Sequence, residues 1–334
     1  MVARKELIDA FLEDAGWAAA NRTPLASDAS FRRYVRLSRQ YKETALLMDA
    51  PPPQEDVCPF VDIANRLLTL SLSAPRILAA DYKAGLLLIE DFGDDTYTRL
   101  LADGNDEAEL YHLATDTLIE LHRCFSDGVG ILPYDDASLL NEAALLVDWF
   151  LPAVRAEATP PAVREEYLDL WRAAISVARS VPETLVLRDY HVDNLIHLPK
   201  RPGTAACGLL DFQDAVIGPI SYDLVSLLED ARRDVPHSLA TECFDRYLAA
   251  FPDLEQSAFR TSYAVLGAQR NSKIIGIFVR LDQRDGKSVY LKHIPRVFRW
   301  LEGNLSHPSL SDIKIWFDRE IPNMLRTAMP AKVR

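Results

Sequence analysis

The stretch that most constrains this chain begins Leu185-Val186-Leu187-Arg188-Asp189-Tyr190-His191-Val192-Asp193-Asn194 and ends Gly208-Leu209-Leu210-Asp211-Phe212-Gln213-Asp214. Between these ends, Leu195 to Leu198 and Ala206 to Leu210 are apolar runs separated by the Pro/Gly-containing segment Pro199 to Thr204. Two short apolar runs around such a loop predict an antiparallel hairpin. In an antiparallel pair the start of the first strand faces the end of the second. Asn194 and Asp211 are therefore expected together at the open end, with Asp189 on the loop leading into it.

Two carboxylates and an amide oxygen suit phosphoryl transfer, where the protein mainly positions the transferred group and neutralises its charge through hard, oxygen-liganded Mg²⁺. Asp211 and Asn194 are expected as metal ligands, with ATP as donor. Asp189 is expected to orient the acceptor hydroxyl and take up its proton, because general-base catalysis needs a carboxylate within hydrogen-bond reach of that proton.

At 334 residues the chain exceeds the size at which one core usually stops growing, so two lobes with a cleft are expected. An amphipathic helix opens the chain. Phe31 to Leu37 and Thr44 to Met48 read as a hairpin turning at Ser38 to Glu43. Pro51-Pro52-Pro53 stops the second strand, Pro59 to Leu72 has helical spacing, and Ile77 to Asp81 and Leu86 to Glu90 resume strand character. Beyond Gly93 the apolar residues recur at helical spacing, as in Leu110, Leu113, Leu118, Leu121 and Phe125. The pattern predicts an α+β chain: a small β-rich lobe over 1–92, a larger helical lobe over 93–334, and a hinge at Glu90 to Gly93.

Composition excludes several functions. The net charge of −12 disfavours nucleic acid and anionic membrane surfaces, which select clustered Lys and Arg. Acidic residues Glu6, Asp9, Glu13 and Asp14 near the start do not suit a secretory signal, and no apolar run approaching membrane-spanning length is evident. Cys58, Cys124, Cys207 and Cys243 form no CxxC pair, which fits a reducing cytoplasm. A cytoplasmic monomer is expected.

Arg188-Asp189 with Asn194 five residues after the aspartate resembles the kinase catalytic loop, and Leu210-Asp211-Phe212 resembles the kinase metal-binding strand end. The nearer resemblance, carried by Leu210-Asp211-Phe212-Gln213-Asp214, Gly218-Pro219 and Tyr222-Asp223-Leu224, is to the aminoglycoside phosphotransferase and choline kinase-like family. It implies a protein-kinase-like two-lobe fold, with Asp189 and Arg188 catalytic. Asp223 is expected to be a helix cap or structural hydrogen-bond partner. Glu90-Asp91-Phe92-Gly93 contains the letters Asp-Phe-Gly but precedes the catalytic loop, so it is not the metal motif. The resemblance gives Glu90, Asp91 and Phe92 the role of offering backbone groups to adenine.

The chain departs from the kinase pattern twice. The segment where the phosphate-covering loop belongs, Ser27 to Tyr34, has no glycine; Ser30, Phe31, Arg32 and Arg33 are its candidates for nucleotide contact. The following strand, Ala45-Leu46-Leu47-Met48-Asp49, has no lysine, and Lys42 lies before it. Arg33 is expected to replace the missing cation in part. A nucleotide-binding pseudokinase therefore stays open as an alternative.

Asp28 to Tyr34, Met48 to Pro52 and Gln269-Arg270-Asn271-x-Lys273-x-x-Gly276-x-Phe278 together resemble a narrower group, the anomeric kinases of bacterial cell-wall recycling. That resemblance implies an amino-sugar substrate, N-acetylmuramate or N-acetylglucosamine, phosphorylated on its anomeric hydroxyl. Gln269, Arg270 and Lys273 are neighbours at helical spacing, so they are expected to project together toward such a sugar or else to form a partly solvated face. Tyr190, Asp193 and Asp214 are further candidates for sugar hydroxyls. His191 is expected either to touch substrate or to hold the loop. An aminoglycoside- or amino-alcohol-type phosphotransferase is the alternative enzyme.

Overall fold

The computed structural model describes residues 4–25, 31–40 and 43–328. The chain forms two compact units, Met1–Thr117 with Val192–Asp214, and Leu118–His191 with Ala215–Arg334.

The first unit opens with α1 (Arg4–Asp14) and carries a five-stranded antiparallel sheet: β1 (Asn21–Pro24), β2 (Arg33–Arg39), β3 (Glu43–Asp49), β4 (Ile77–Asp81) and β5 (Leu86–Glu90) in the order β1-β2-β3-β5-β4. Helix α2 (Cys58–Thr69) follows β3. Alternate residues of a strand face opposite sides, and Leu37, Ala45, Leu47, Leu86 and Leu88 pack in one cluster with Phe11, Leu12 and Trp17. The hairpin of β2 and β3 pairs Arg33 with Asp49 and Arg39 with Glu43, in line with the sequence pattern. Helix α3 (Tyr97–Ala102) and the first part of α4 (Glu107–Cys124) complete this run of chain.

After Val192 the chain returns to the first unit as the hairpin of β7 (Leu195–His197) and β8 (Cys207–Leu209), close to the bounds expected from sequence. Gly208 bridges Ser73, and the Leu209 N–H donates to the Ser73 carbonyl at 2.7 Å. A Cβ at Gly208 would stand 2.9 Å from the Phe92 ring, so only glycine lets the hairpin lie this close to the segment after β5.

The second unit is helical: α5 (Asp136–Leu145), α6 (Leu151–Arg155), α7 (Pro161–Ala178), α8 (Tyr222–Leu228), α9 (His237–Ala250), α10 (Gln256–Asp285), α11 (Ile294–Leu305), α12 (Ser311–Glu320) and α13 (Asn323–Arg326). It also holds a two-stranded ribbon of β6 (Glu183–Val186) and β9 (Val216–Pro219), whose first strand leads straight into Leu187 and Arg188. β1, β6 and β9 are not among the strands expected from sequence. Each spans four residues, too few to display an alternation.

The continuous segment Asp136–Arg155 is long and apolar enough, by length and composition, to cross a membrane, which corrects the expectation that no run approaches that length. Its interruption by Glu142 and Asp148 hid it. In the fold, Leu139, Ala143, Leu146, Val147, Phe150 and Leu151 of this segment are core residues packed with α7 and α10.

Between α5 and α6 the helix widens into a π turn, Leu146–Phe150, and α10 approaches it at Gly276. A Cβ on Gly276 would lie 2.3 Å from the Leu145 carbonyl, inside any tolerable contact with backbone. Gly276→Ala is therefore expected to destabilise by about 1–3 kcal/mol through overpacking, visible as a lower urea midpoint at unchanged slope. An unchanged midpoint would mean that the two helices separate without cost.

Candidate active site

In the second unit, the loop after β6 is held from several sides. Arg188 has φ +70°, a left-handed conformation that a bulky residue adopts only when its surroundings enforce it. Asp223, at the start of α8, supplies the enforcement: its two carboxylate oxygens accept the Leu187 N–H at 2.6 Å and the Arg188 N–H at 2.9 Å, while the Ser226 hydroxyl donates to the Arg188 carbonyl. Asp223 is fully buried, and burial pushes its carboxyl up to about 7 against those two donors. This is the structural role expected for it from sequence.

The Arg188 guanidinium pairs with Glu142 of α5 and lies 5.4 Å from the Tyr134 ring. Lys273 of α10 donates to the same Glu142 at 2.9 Å, the Gln269 amide approaches it at 3.4 Å, and the Tyr134 hydroxyl donates to it. Burial pushes Glu142 up, but the Lys273 and Arg188 cations outweigh it and hold the carboxyl below its ordinary range. One carboxylate thus ties two helices to the loop that carries Asp189.

Asp189 follows Arg188 and is open to solvent, lining a recess of about 130 Å³ with His191, Tyr222, Asp230, Arg232, Arg270, Lys273 and Phe278. Whole-ligand pockets run to roughly 300–1,000 Å³, so this recess takes one edge of a small molecule. The surrounding protein pushes the Asp189 carboxyl up, but Lys273, His191, Arg270 and Arg188 prevail and hold it below the ordinary value of 3.8. A carboxylate in these surroundings is thereby kept ionised at neutral pH. His191 is buried, and burial lowers its affinity for a proton despite the nearby Asp230 carboxylate.

Arg270 and Lys273 line the recess, as the helical spacing suggested. Gln269 does not: it is fully buried and donates to the Leu139 carbonyl at 2.9 Å. Tyr190 is buried as well. Glu142, Asp230 and Arg232 were not singled out from sequence; Glu142 lies on α5, 46 residues from Arg188, and no local pattern links them.

In the first unit, the β7–β8 hairpin brings the other two oxygen donors together. Leu195 pairs with Leu209, and the Leu210 N–H donates to the Asn194 carbonyl at 3.0 Å, so Asn194 and Asp211 stand side by side at the open end. Asp211 also has a left-handed backbone, φ +56°, and its Oδ1 accepts from Gln213 Nε2 at 3.0 Å. Asp214 accepts from the same amide at 3.1 Å. Among the described residues no group of three or more His, Cys, Asp or Glu is gathered to hold a metal. A carboxylate and an amide on adjacent backbone positions are the oxygen donor types that Mg²⁺ takes, with waters and phosphate oxygens for its remaining positions.

Phe212 is buried and stacks on Phe60 of α2 with ring centroids 5.0 Å apart. Arg32 lies 3.9 Å from Asp211 Oδ1 and 3.4 Å from Glu55 Oε2. Arg33, expected to supply the missing cation, is exposed at the first position of β2, and Phe31 is exposed with its N–H donating to Glu55. Ser30 lies outside the described residues. Glu90 pairs with Arg76 and Arg201, Asp91 pairs with Arg36, and the Phe92 ring lies 4.9 Å from the Arg201 guanidinium. Asp193 accepts from the Thr98 hydroxyl. A larger depression in this unit, about 500 Å³, is lined by Glu109, His112, Asp116 and His197 and includes neither Asn194 nor Asp211.

Residues 21–259 match the model of the phosphotransferase enzyme family. A kinase of Caulobacter vibrioides named for N-acetylmuramate and N-acetylglucosamine is 38% identical, over 94% of this chain and 95% of its own. Among solved structures, a choline/ethanolamine kinase family protein of Mesorhizobium loti superposes with a TM-score of 0.60 at 13% identity, covering 98% of this chain and 100% of that one. The ADP-bound aminoglycoside phosphotransferase APH(2'')-Ib does so with a TM-score of 0.55 at 17% identity, covering 89% and 96%.

Proposed function

Because this chain belongs to the phosphotransferase enzyme family, we propose that it transfers the γ-phosphoryl group of ATP to the anomeric hydroxyl of N-acetylmuramate or N-acetylglucosamine, giving the sugar α-1-phosphate. The substrate is the one named for the Caulobacter relative, and ATP is the donor suggested by the ADP-bound neighbour. The single observation that carries the reading is the recess around Asp189, whose wall includes the cations Arg232, Arg270 and Lys273. Three cations against Asp189 and Asp230 suit a sugar that bears hydroxyls and a carboxylate. They do not suit a polycationic aminoglycoside, which calls for an excess of carboxylates.

In this reading Asp189 accepts the proton of the attacking hydroxyl, and its depressed carboxyl is ionised and ready at neutral pH. Arg188 braces the loop through Glu142. Asn194 and Asp211 hold Mg²⁺, which supplies charge neutralisation at the phosphates when bound. His191, Arg270 and Lys273 meet the sugar, with Tyr190 and Gln269 buried beneath them, and Asp193 and Asp214 are further candidates for its hydroxyls. The nucleotide is taken by Ser30, Phe31 and Arg32 at its phosphates and by Glu90, Asp91 and Phe92 at its base. The lobe over 1–92 serves the nucleotide, the lobe over 93–334 serves catalysis and the sugar, and the enzyme works as a cytoplasmic monomer.

The test is ATP consumption over a panel of amino sugars, with phosphorus NMR of the product. A phosphate doublet coupled to the anomeric proton is the expected outcome. Transfer to kanamycin with none to either amino sugar would overturn the substrate, and nucleotide binding without any turnover would make the protein a pseudokinase.

A further inference from the structure

The strand that carries the phosphate-anchoring lysine in protein kinases reads Glu43-Thr44-Ala45-Leu46-Leu47-Met48-Asp49 here, with no cation in it. We propose that Arg32 is the cation that anchors the nucleotide phosphates and that Glu55, on the segment before α2, is the residue that positions it. The assignment rests on the phosphotransferase reading and concerns its nucleotide side only.

Three observations converge within the first unit. Arg32 is largely shielded, with its side chain 14% exposed, and its Nη2 lies 3.9 Å from the Asp211 carboxylate. A guanidinium at that distance from a metal-holding carboxylate is within reach of phosphate oxygens that the same metal would bind. Glu55 grips the segment twice: Oε1 accepts the Phe31 N–H at 3.1 Å, and Oε2 stands 3.4 Å from Arg32 Nε. The Nε itself is buried against Glu55 and makes no hydrogen bond, and Tyr34 also meets the guanidinium, so the donors on offer to an anion are those of the Nη groups, of which Nη2 lies toward Asp211. Finally, Phe60 stacks on Phe212, so the helix that follows Glu55 also supports the residue after Asp211.

A planar guanidinium matches phosphate with two parallel N–H donors, which a single ammonium cannot do. Its entry from the residue before β2 explains how β3 dispenses with a lysine. Arg33 points elsewhere because neighbouring residues of an extended chain face opposite sides; it is exposed and opposite Asp49 in the register.

Calorimetric titration of the full chain with ATP and Mg²⁺, and separately with adenosine, tests this. Arg32→Ala is expected to weaken ATP by at least about tenfold, the worth of one charge-assisted hydrogen bond, and to leave adenosine unchanged. Glu55→Gln is expected to weaken ATP less, and the double variant to lose no more than Arg32→Ala alone, because Glu55 acts through Arg32. Should Arg32→Ala fail to fold, Arg32→Lys decides, since it keeps the charge without the fork and is expected to fall between wild type and that tenfold loss. ATP affinity within about twofold of wild type in the folded variant, or an equal loss for adenosine, overturns the proposal. If Arg32→Ala loses ATP while the wild-type protein phosphorylates no amino sugar, the substrate reading fails and the Arg32 assignment stands.

Discussion

Asp189→Asn is expected to lower kcat by roughly a hundredfold to ten-thousandfold, the range spanned by a positioned general base, while ATP still raises the melting temperature. The substitution is nearly isosteric and removes only the proton-accepting charge. Asp189 sits among Lys273, His191, Arg270 and Arg188, which hold it ionised. A group whose carboxyl is depressed in the folded protein stays charged as pH falls until it reaches that lowered value. The Asp189 contribution to kcat/KM should therefore be flat down to its ordinary 3.8, and any acid limb above that belongs to another group. Undiminished turnover in the variant would remove Asp189 from the base role.

Glu142→Ala should have the largest effect on stability, about 3–5 kcal/mol, because it strands two cations in a poorly hydrated site. The Glu142 side chain is 15% exposed, and its partners Arg188 and Lys273 are 24% and 14% exposed. Neither has room to hydrate freely once the carboxylate is gone. Loss of the Arg188 tie also releases the loop bearing Asp189, so turnover should fall along with the urea midpoint. Glu142→Gln keeps a carbonyl oxygen for Lys273 and should cost less. A change in unfolding free energy below about 1 kcal/mol on truncation would show the cluster to be solvated like a surface ion pair.

The two predictions draw on different kinds of information. The hairpin was legible in the chain because Asn194 and Asp211 flank two short apolar runs around a Pro/Gly loop, and Asp189 stands out as a candidate because it precedes Asn194 by five residues. The observed pairing of Leu195 with Leu209, and of the Leu210 N–H with the Asn194 carbonyl, follows from the same local rule. The sheet of the first unit was readable for a similar reason, since β2, β3, β4 and β5 each extend far enough to show strand character.

Glu142 was not legible, because its partners lie 46 and 131 residues away on other elements and nothing along α5 distinguishes it from a solvated glutamate. Its position depends on the close approach of α10 to α5, which Gly276 permits and no periodicity announces. The choice of Arg32 over Arg33 is of the same kind: both are cations in one short segment, and only the placement of Glu55 and Asp211 decides which is enclosed.

The sequence by itself determined the α+β class and the hairpin that pairs Leu195 with Leu209, since each is encoded in residues close enough in the chain for local geometry to bring them together. Tertiary structure alone decided which charges surround Asp189, which arginine stands beside Asp211 and which helix carries the bracing carboxylate. Those pairings join segments remote along the chain, and remote segments meet according to packing that no local spacing records.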